Sequence, residues 1–488
     1  MDDEKQPLIQ NTSVRETTAD EILRDSSFCL SYIKLVPVTL LLHFAGGVGY
    51  YATIQWIREY VKETSGCLAN TSFNKTENGN CIGNGSLGNI DPDSHIEQET
   101  AKWIMYTSLA TAIPASFSSA LLCSFSDSIG RNFLFVVVAC STLVRLTVCS
   151  LSMYYKWNLL WIVLAAGLDG LTGSVHTSVS AGILFLVDIT RPGRHRTIAL
   201  SVFDGLLMFC STISGIMSGF LIKHAGFFIS TTVCTGLALF GLLVIVWFLP
   251  ETNINIDNSK SSSLCLKVWA ATLYCNCREW KYIRRPFVLI TVCYFFQNLA
   301  VSHRGSIEIL YQLGKPFCWT PEMIGLFSAA RSTGQGLIGV LSIIPIKKGL
   351  SEINVALISA VFNTGSYILE GLATTTLELF LVPVFAAFGF VAAPMLKSLL
   401  SSLTPASNQG TLVAILLTVE TVTEIASSYG LNQLYYMSAP YFPGVVFLVL
   451  AGMASLAAIF EIVFKLTQNI NYGKDEEKTR TDILEKKK

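Results

Sequence analysis

Several ionisable side chains, among them Asp204, His303, Arg331, Lys397, Glu420 and Glu424, sit inside stretches of this chain that are otherwise apolar. An Asp or Arg at the centre of a bilayer-spanning helix costs roughly 2.5–3.5 kcal/mol on insertion-based scales. Each such residue needs a partner or a wet cavity, and each is a candidate for handling protons or ions. Asp204, in Val202-Phe203-Asp204-Gly205, can carry a proton or close a structural ion pair. Lys397, in Pro394-Met395-Leu396-Lys397, can hold a carboxylate or sulfate as a point charge, without the planar fork of an arginine. It can also snorkel to the interface. Glu420 and Glu424 lie one helical turn apart and share a face. Two carboxylates there repel unless one takes a proton or Glu420 pairs with Lys397. His303, flanked by Arg304 and Glu308, is placed to sense pH. Arg331 is expected to face a cavity, and Arg145 to bind an Asp or backbone carbonyls. Proton coupling is thus expected of Asp204, Glu420 and His303, and substrate binding of Lys397, Arg331 and Glu424.

The elements that must position these groups are about twelve apolar runs between Leu35 and Phe464. A span needs roughly 20 mostly apolar residues. The chain is 51% hydrophobic and 14% charged, where a soluble domain carries about 25% charge. The fold class is therefore an all-α membrane protein with twelve transmembrane helices. The expected divisions are an N-terminal tail over 1–34, six spans over 35–250 and a linker over 251–285. Six more spans follow over 286–464, and then a C-terminal tail over 465–488. A polar, acidic start and a long first apolar run point to no cleaved leader. A net charge of zero gives no reason to expect a nucleic-acid partner. No G-x-x-x-x-G-K-[ST] loop, metal-ligand cluster or nucleophile–base constellation is visible, so ATP hydrolysis and enzyme chemistry are not expected. The reading needs no cofactor and takes a proton gradient as its driving force.

Lys and Arg set the orientation. Arg131, Arg191, Arg194, Arg196, Arg284, Arg285, Lys347 and Lys348 fall in loops that share one face if twelve spans are threaded in order. That face, with both termini, is expected to be cytosolic. The polar stretch 57–102 lies on the other face and holds three glycosylation sequons, at Asn70, Asn74 and Asn84. An oxidising lumen would permit a disulfide there; Cys81–Cys318 is favoured, with Cys67 as the alternative partner. Glu4-Lys5-Gln6-Pro7-Leu8-Ile9 resembles an acidic dileucine sorting signal. On a disordered tail, Glu4, Leu8 and Ile9 would be open to a clathrin adaptor and would direct the protein to endosomes and lysosomes.

Two six-span halves joined by a cytosolic linker resemble the major facilitator architecture, in which a substrate cavity lies between the halves. Asp127-Ser128-Ile129-Gly130-Arg131 resembles the D-x-x-G-R core of that superfamily's signature, a conformational latch built on Asp127, Gly130 and Arg131. Pro250-Glu251-Thr252 resembles its close to the sixth span. Leu310-Tyr311-Gln312-Leu313-Gly314-Lys315-Pro316-Phe317-Cys318-Trp319, with Ile324-Gly325 and Ser328-Ala329-Ala330, resembles a string found in solute carrier family 46. Arg196-Thr197 and Gln409-Gly410-Thr411-Leu412 fit the same family. It includes proton-coupled folate carriers and lysosomal carriers of steroid conjugates, bile acids and peptidoglycan fragments. The resemblance implies a proton-coupled symporter of small organic anions in a lysosomal or endosomal bilayer. A plasma-membrane folate carrier and a non-transporting receptor on the same scaffold are the alternatives. It also implies an acid at Asp204 that couples protons, a cation at position 397 and, as in the lysosomal members, an acid at Glu420. This chain departs from the folate pattern in having Ser174 where those members carry Asp, with Asp169 and His176 nearby, and in placing His303 two residues from the folate carriers' histidine.

Overall fold

The computed structural model describes residues 7–65, 92–190, 194–251, 284–341, 350–404 and 409–485. Among the described residues every regular element is helical: α1 (Pro7–Thr64), α2 (Pro92–Ile129), α3 (Arg131–Tyr155), α4 (Leu160–Leu171), α5 (Ser174–Ile189) and α6 (Arg194–Phe248) precede the linker. After it come α7 (Arg284–Val301), α8 (Arg304–Leu313), α9 (Pro321–Leu341), α10 (Glu352–Leu372), α11 (Thr376–Gly389), α12 (Ala392–Leu403), α13 (Gln409–Ser438) and α14 (Val445–Glu485). Local chemistry sets several starts. Pro92 and Pro321 stand first in α2 and α9, where proline's missing N–H costs no hydrogen bond. Thr375 and Glu378 cap each other at the head of α11, the Thr375 side chain accepting from Glu378 N at 3.3 Å and Glu378 Oε2 from Thr375 N at 3.1 Å.

Among the described residues, eight segments are long and apolar enough to cross a bilayer. Val202–Phe248, at 47 residues, is one of them; at about 1.5 Å per residue it is more than twice the roughly 30 Å of a hydrocarbon core. It folds back at Gly226, whose φ of 79° is open to glycine and strained for other residues. Three further helices, α2, α9 and α13, have 38, 21 and 30 residues but fall outside that apolar set. Their polarity has a structural reason: α2 and α13 give Thr107, Thr111 and Glu424 to a central cavity. The N-terminal stretch departs from the expected disordered tail. With no Pro or Gly between Leu8 and Lys34, the helix begins at Pro7 and runs into the first span.

Among the described residues, three spans are broken. The α4/α5 break falls at Gly173 (φ 77°), the α7/α8 break at His303 (φ 54°), and the α11/α12 break at Phe390 and Val391. Non-helical backbone at membrane depth is tolerated where protein or a wet cavity satisfies it. We name the two faces by what ends there: α1 ends on the loop face, and α6 ends on the linker face. α1 packs along α6, and α10 and α14 pack together. The halves meet where α6 lies against α9 and α2 against α13. On α6 and α9 the approach is backbone to backbone: a Cβ on Gly325 would come within 2.2 Å of the Gly215 carbonyl oxygen. The same contact continues towards the loop face in a 2.6 Å ion pair, Lys223 to Glu322. Gln98 of α2 donates to the Tyr436 carbonyl of α13 at 2.9 Å. A large aromatic and aliphatic core, including Trp319, Phe327, Tyr367 and Phe447, backs this end.

Candidate functional site

A cavity of about 560 Å³ lies between the halves, within the range of roughly 300–1,000 Å³ usual for small-molecule sites. The broken spans bring their polar residues to it. Asp169, near the end of α4, is buried and points across to α3, where Arg145 Nη1 sits 3.0 Å from its Oδ2. Ser141 donates to its Oδ1 at 2.9 Å, and Ser174, first residue beyond the α4/α5 break, donates to its Oδ2 at 2.7 Å. The guanidinium at the cavity wall is thus already neutralised. On the opposite wall His303 Nε2 lies 2.9 Å from Glu424 Oε1. His43 and His176 also line the cavity, and Ser178 Oγ sits 3.3 Å from His43 Nε2. Tyr50 of α1 shares a 2.6 Å hydrogen bond with Ser306 of α8, joining the halves beside the cavity.

One helical turn towards the linker face lies a second cluster. On α6, Asp204 precedes the cavity-lining Met208 by a turn; on α13, Glu420 precedes Glu424 by a turn. Lys397 Nζ of α12 is 2.6 Å from Glu420 Oε1, and the Tyr294 hydroxyl donates to the same oxygen. Lys397 also sits 5.7 Å from the Tyr294 ring centroid and acts electrostatically on Asp204 of the other half. Side chains of Lys397 and Glu420 are 46% and 35% exposed, so the cluster is not sealed in the protein core. Of the two expectations for Glu420, the structure has the pairing with Lys397.

The remaining expected residues fall elsewhere. Arg331 donates to Glu308 in the interior of the second half and is not in the cavity wall. Gly130 and Arg131 form a junction on the linker face: Arg131 Nε binds Asp188 Oδ2 at 2.8 Å, and Arg131 Nη1 donates to Ser126 at 2.6 Å. Glu251 closes the start of α3, accepting from the backbone N–H of Arg131 at 2.6 Å and of Asn132 at 3.1 Å. A carboxylate there meets free N–H groups and the positive end of the helix. Gly130 (φ 123°) is needed because a Cβ would stand 2.4 Å from Glu251 Oε2. Asp127 ends α2, its side chain outside the described set. Cys318 is disulfide-bonded. Cys67, Asn70, Asn74, Cys81, Asn84 and Glu4 lie outside the described residues, whereas Leu8 and Ile9 stand in the first turn of α1.

Two buried acids escaped the sequence reading. Glu370 pairs with Arg304, whose guanidinium lies 4.3 Å from the Tyr367 ring centroid. Glu461 of α14 is fully buried with neither carboxylate oxygen hydrogen-bonded. Both acids stand inside apolar runs, so a full count of charges per run would have found them. That His43, His176 and His303 share one cavity had no signal in the sequence, because they are far apart along it.

Broken, paired helices around a central cavity, in two joined halves, define a membrane transport protein of the facilitator kind. A model of the Major Facilitator Superfamily matches residues 39–428, and the chain belongs to that superfamily. It is similar to the lysosomal proton-coupled steroid conjugate and bile acid symporter SLC46A3 of Rattus norvegicus, 27% identical over 88% of this chain and 93% of that protein. It is also similar to the proton-coupled folate transporter of Bos taurus, 25% identical over 80% of this chain and 84% of that protein. Among solved structures, the human organic anion transporter MFSD10 aligns with a TM-score of 0.57 at 13% identity, covering 88% of this chain and 99% of that one. A D-xylose-proton symporter aligns at 0.60 and 14%, covering 88% and 96%. These structural likenesses speak to the fold.

Proposed function

We propose that this chain is a proton-driven symporter of small organic anions. The observation that carries the reading is Lys397 paired with Glu420 of its own half and acting electrostatically on Asp204 of the other. With both acids ionised, the ammonium is already matched. The cluster then carries one net negative charge, and protons on both Glu420 and Asp204 leave the cation free for a carboxylate or sulfate, so protons and anion load together. Because the acids belong to opposite halves, their charge state also biases how the halves stand, and rocking of the halves about the cavity is the transport step in this architecture. An occupied state is favoured only by its differential affinity for the two conformations. The proton-coupled relatives support the coupling and the choice of anionic cargo.

In this reading twelve passes thread the bilayer, the linker face is cytosolic, and the loop face is luminal. The halves pack on the loop face, which describes a state facing the cytosol. His303 and Glu424 serve in coupling and binding, Arg331 braces the second half through Glu308, and Asp127, Gly130 and Arg131 with Asp188 and Glu251 form the latch. Asn70, Asn74 and Asn84 carry glycans, Cys81 pairs with Cys318, and Glu4, Leu8 and Ile9 bring a clathrin adaptor that delivers the protein to lysosomes. The test is uptake of labelled taurocholate and folate into cells that display a Leu8→Ala, Ile9→Ala variant at their surface, at about pH 5.5 and 7.5. Uptake should be several-fold faster at the lower pH, and Asp204→Asn should remove that difference. Equal uptake at both values by the otherwise unchanged protein rejects the coupling.

A further inference from the structure

The cavity carries an unusual charge inventory. Arg145 is matched by Asp169, so this pair contributes no net charge. Glu424 remains, with His303 at 2.9 Å from its own half and His176, which acts on it electrostatically, from the other. The groups facing this trio can be named wall by wall. α1 brings Tyr50 and His43, α3 brings Arg145, and α4 brings Asp169. The α2 and α6 walls are Thr, Ser and apolar side chains, while the Glu308–Arg331 pair acts on Tyr51 behind the wall. With neutral histidines the cavity holds one uncompensated negative charge. A first proton, on His303, cancels it; a second, on His176, leaves the wall positive. The rest of the lining is largely apolar, with Ile54, Ile57, Ile104, Leu207 and Met208 around the space.

We propose that this cavity is an anion site switched on by protonation of His176 and His303, one from each half, around the Glu424 carboxylate, and that its cargo is a monoanion with an apolar body. This rests on the transporter reading above and adds to it a binding station one turn further from the linker face than Lys397. The anion enters where histidine supplies the charge and passes to Lys397 on its way out. At neutral pH Glu424 repels it, so the empty site does not draw anions back.

The experiment is equilibrium binding of labelled taurocholate to the purified full chain in lipid nanodiscs at about pH 5.5 and 7.5. Wild type should bind at least about tenfold tighter at the lower pH, one pH unit's worth of linkage for a single coupled proton. Taurine, the same headgroup without the body, should bind at least about tenfold more weakly than taurocholate. Glu424→Gln removes the repelling charge, leaves the wall neutral rather than positive at pH 7.5, and should bind there several-fold more tightly than wild type does at the same pH. This gain also shows that the variant is folded. His176→Gln with His303→Gln should lose the acid gain. Asp204→Asn should keep it, even where its uptake is abolished, which separates this proposal from the transport reading. Failure of wild type to bind taurocholate at either pH, unchanged binding by Glu424→Gln at pH 7.5, or an intact acid gain in the double histidine variant overturns the proposal. The transport reading fails separately, in the uptake assay.

Discussion

Buried charges in this protein differ in what they are worth. Arg304 and Glu370 are 5% and 0% exposed, and removing one member strands the other away from water, at a cost of about 3–5 kcal/mol. Lys223 and Glu322 also stand close, at 2.6 Å, yet they are 50% and 37% exposed, and such pairs contribute roughly 0–1 kcal/mol. We expect Glu370→Gln to lower the melting temperature of the purified protein by several degrees and Glu322→Gln to leave it within a degree or two. Similar shifts in both would show that burial is not what sets the energy. The same contrast explains what was legible at this scale. Asp204, Lys397, Glu420 and Glu424 stand out from the sequence because lipid makes charge costly. Which of them touch, and that Arg331 is spent on Glu308, depends on the packing of α8 against α9 and of α12 against α13.

At the scale of elements, the breaks matter more than the helices. Gly173 ends α4 and lets Ser174 turn towards Asp169. Its φ is 77°, and a Cβ would stand 1.9 Å from Thr177 Oγ1. A residue with a side chain in such a conformation costs about 1–3 kcal/mol. Gly173→Ala should therefore melt several degrees lower. Gly430, inside α13 with open space around it, should gain about 0.5–1 kcal/mol when replaced by Ala. Calorimetry or dye-based melting of the pair checks both signs, and a stabilised Gly173→Ala would refute the argument. The apolar runs gave these spans their positions. They gave no sign of the α7/α8 break at His303, since Ala300-Val301-Ser302-His303 contains neither Gly nor Pro.

For the whole molecule, the question is what holds the halves together on the loop face. The exposed ion pair is too weak, so the glycine contact of α6 with α9 is the stronger candidate. Gly325→Leu puts a branched side chain against the Gly215 carbonyl, which is backbone and cannot swing aside. We expect the variant to favour the state open on the loop face. In a background carrying Lys223→Cys and Glu322→Cys, oxidative cross-linking should be efficient and should fall several-fold when Gly325→Leu is added. An unchanged yield would leave the glycine contact without a role in closure.

The sequence by itself determined that this is a helical membrane protein in two halves, because a bilayer demands long apolar helices and penalises stray charge wherever they are read. It also marked the Gly130–Arg131 junction, whose signature is local. Tertiary structure alone decided that Glu251 seals the start of α3, that Asp169 neutralises Arg145, and that histidines 43, 176 and 303 share one cavity. Those juxtapositions join residues separated by tens to hundreds of positions, and no helical period or composition encodes which sides of two distant helices will meet.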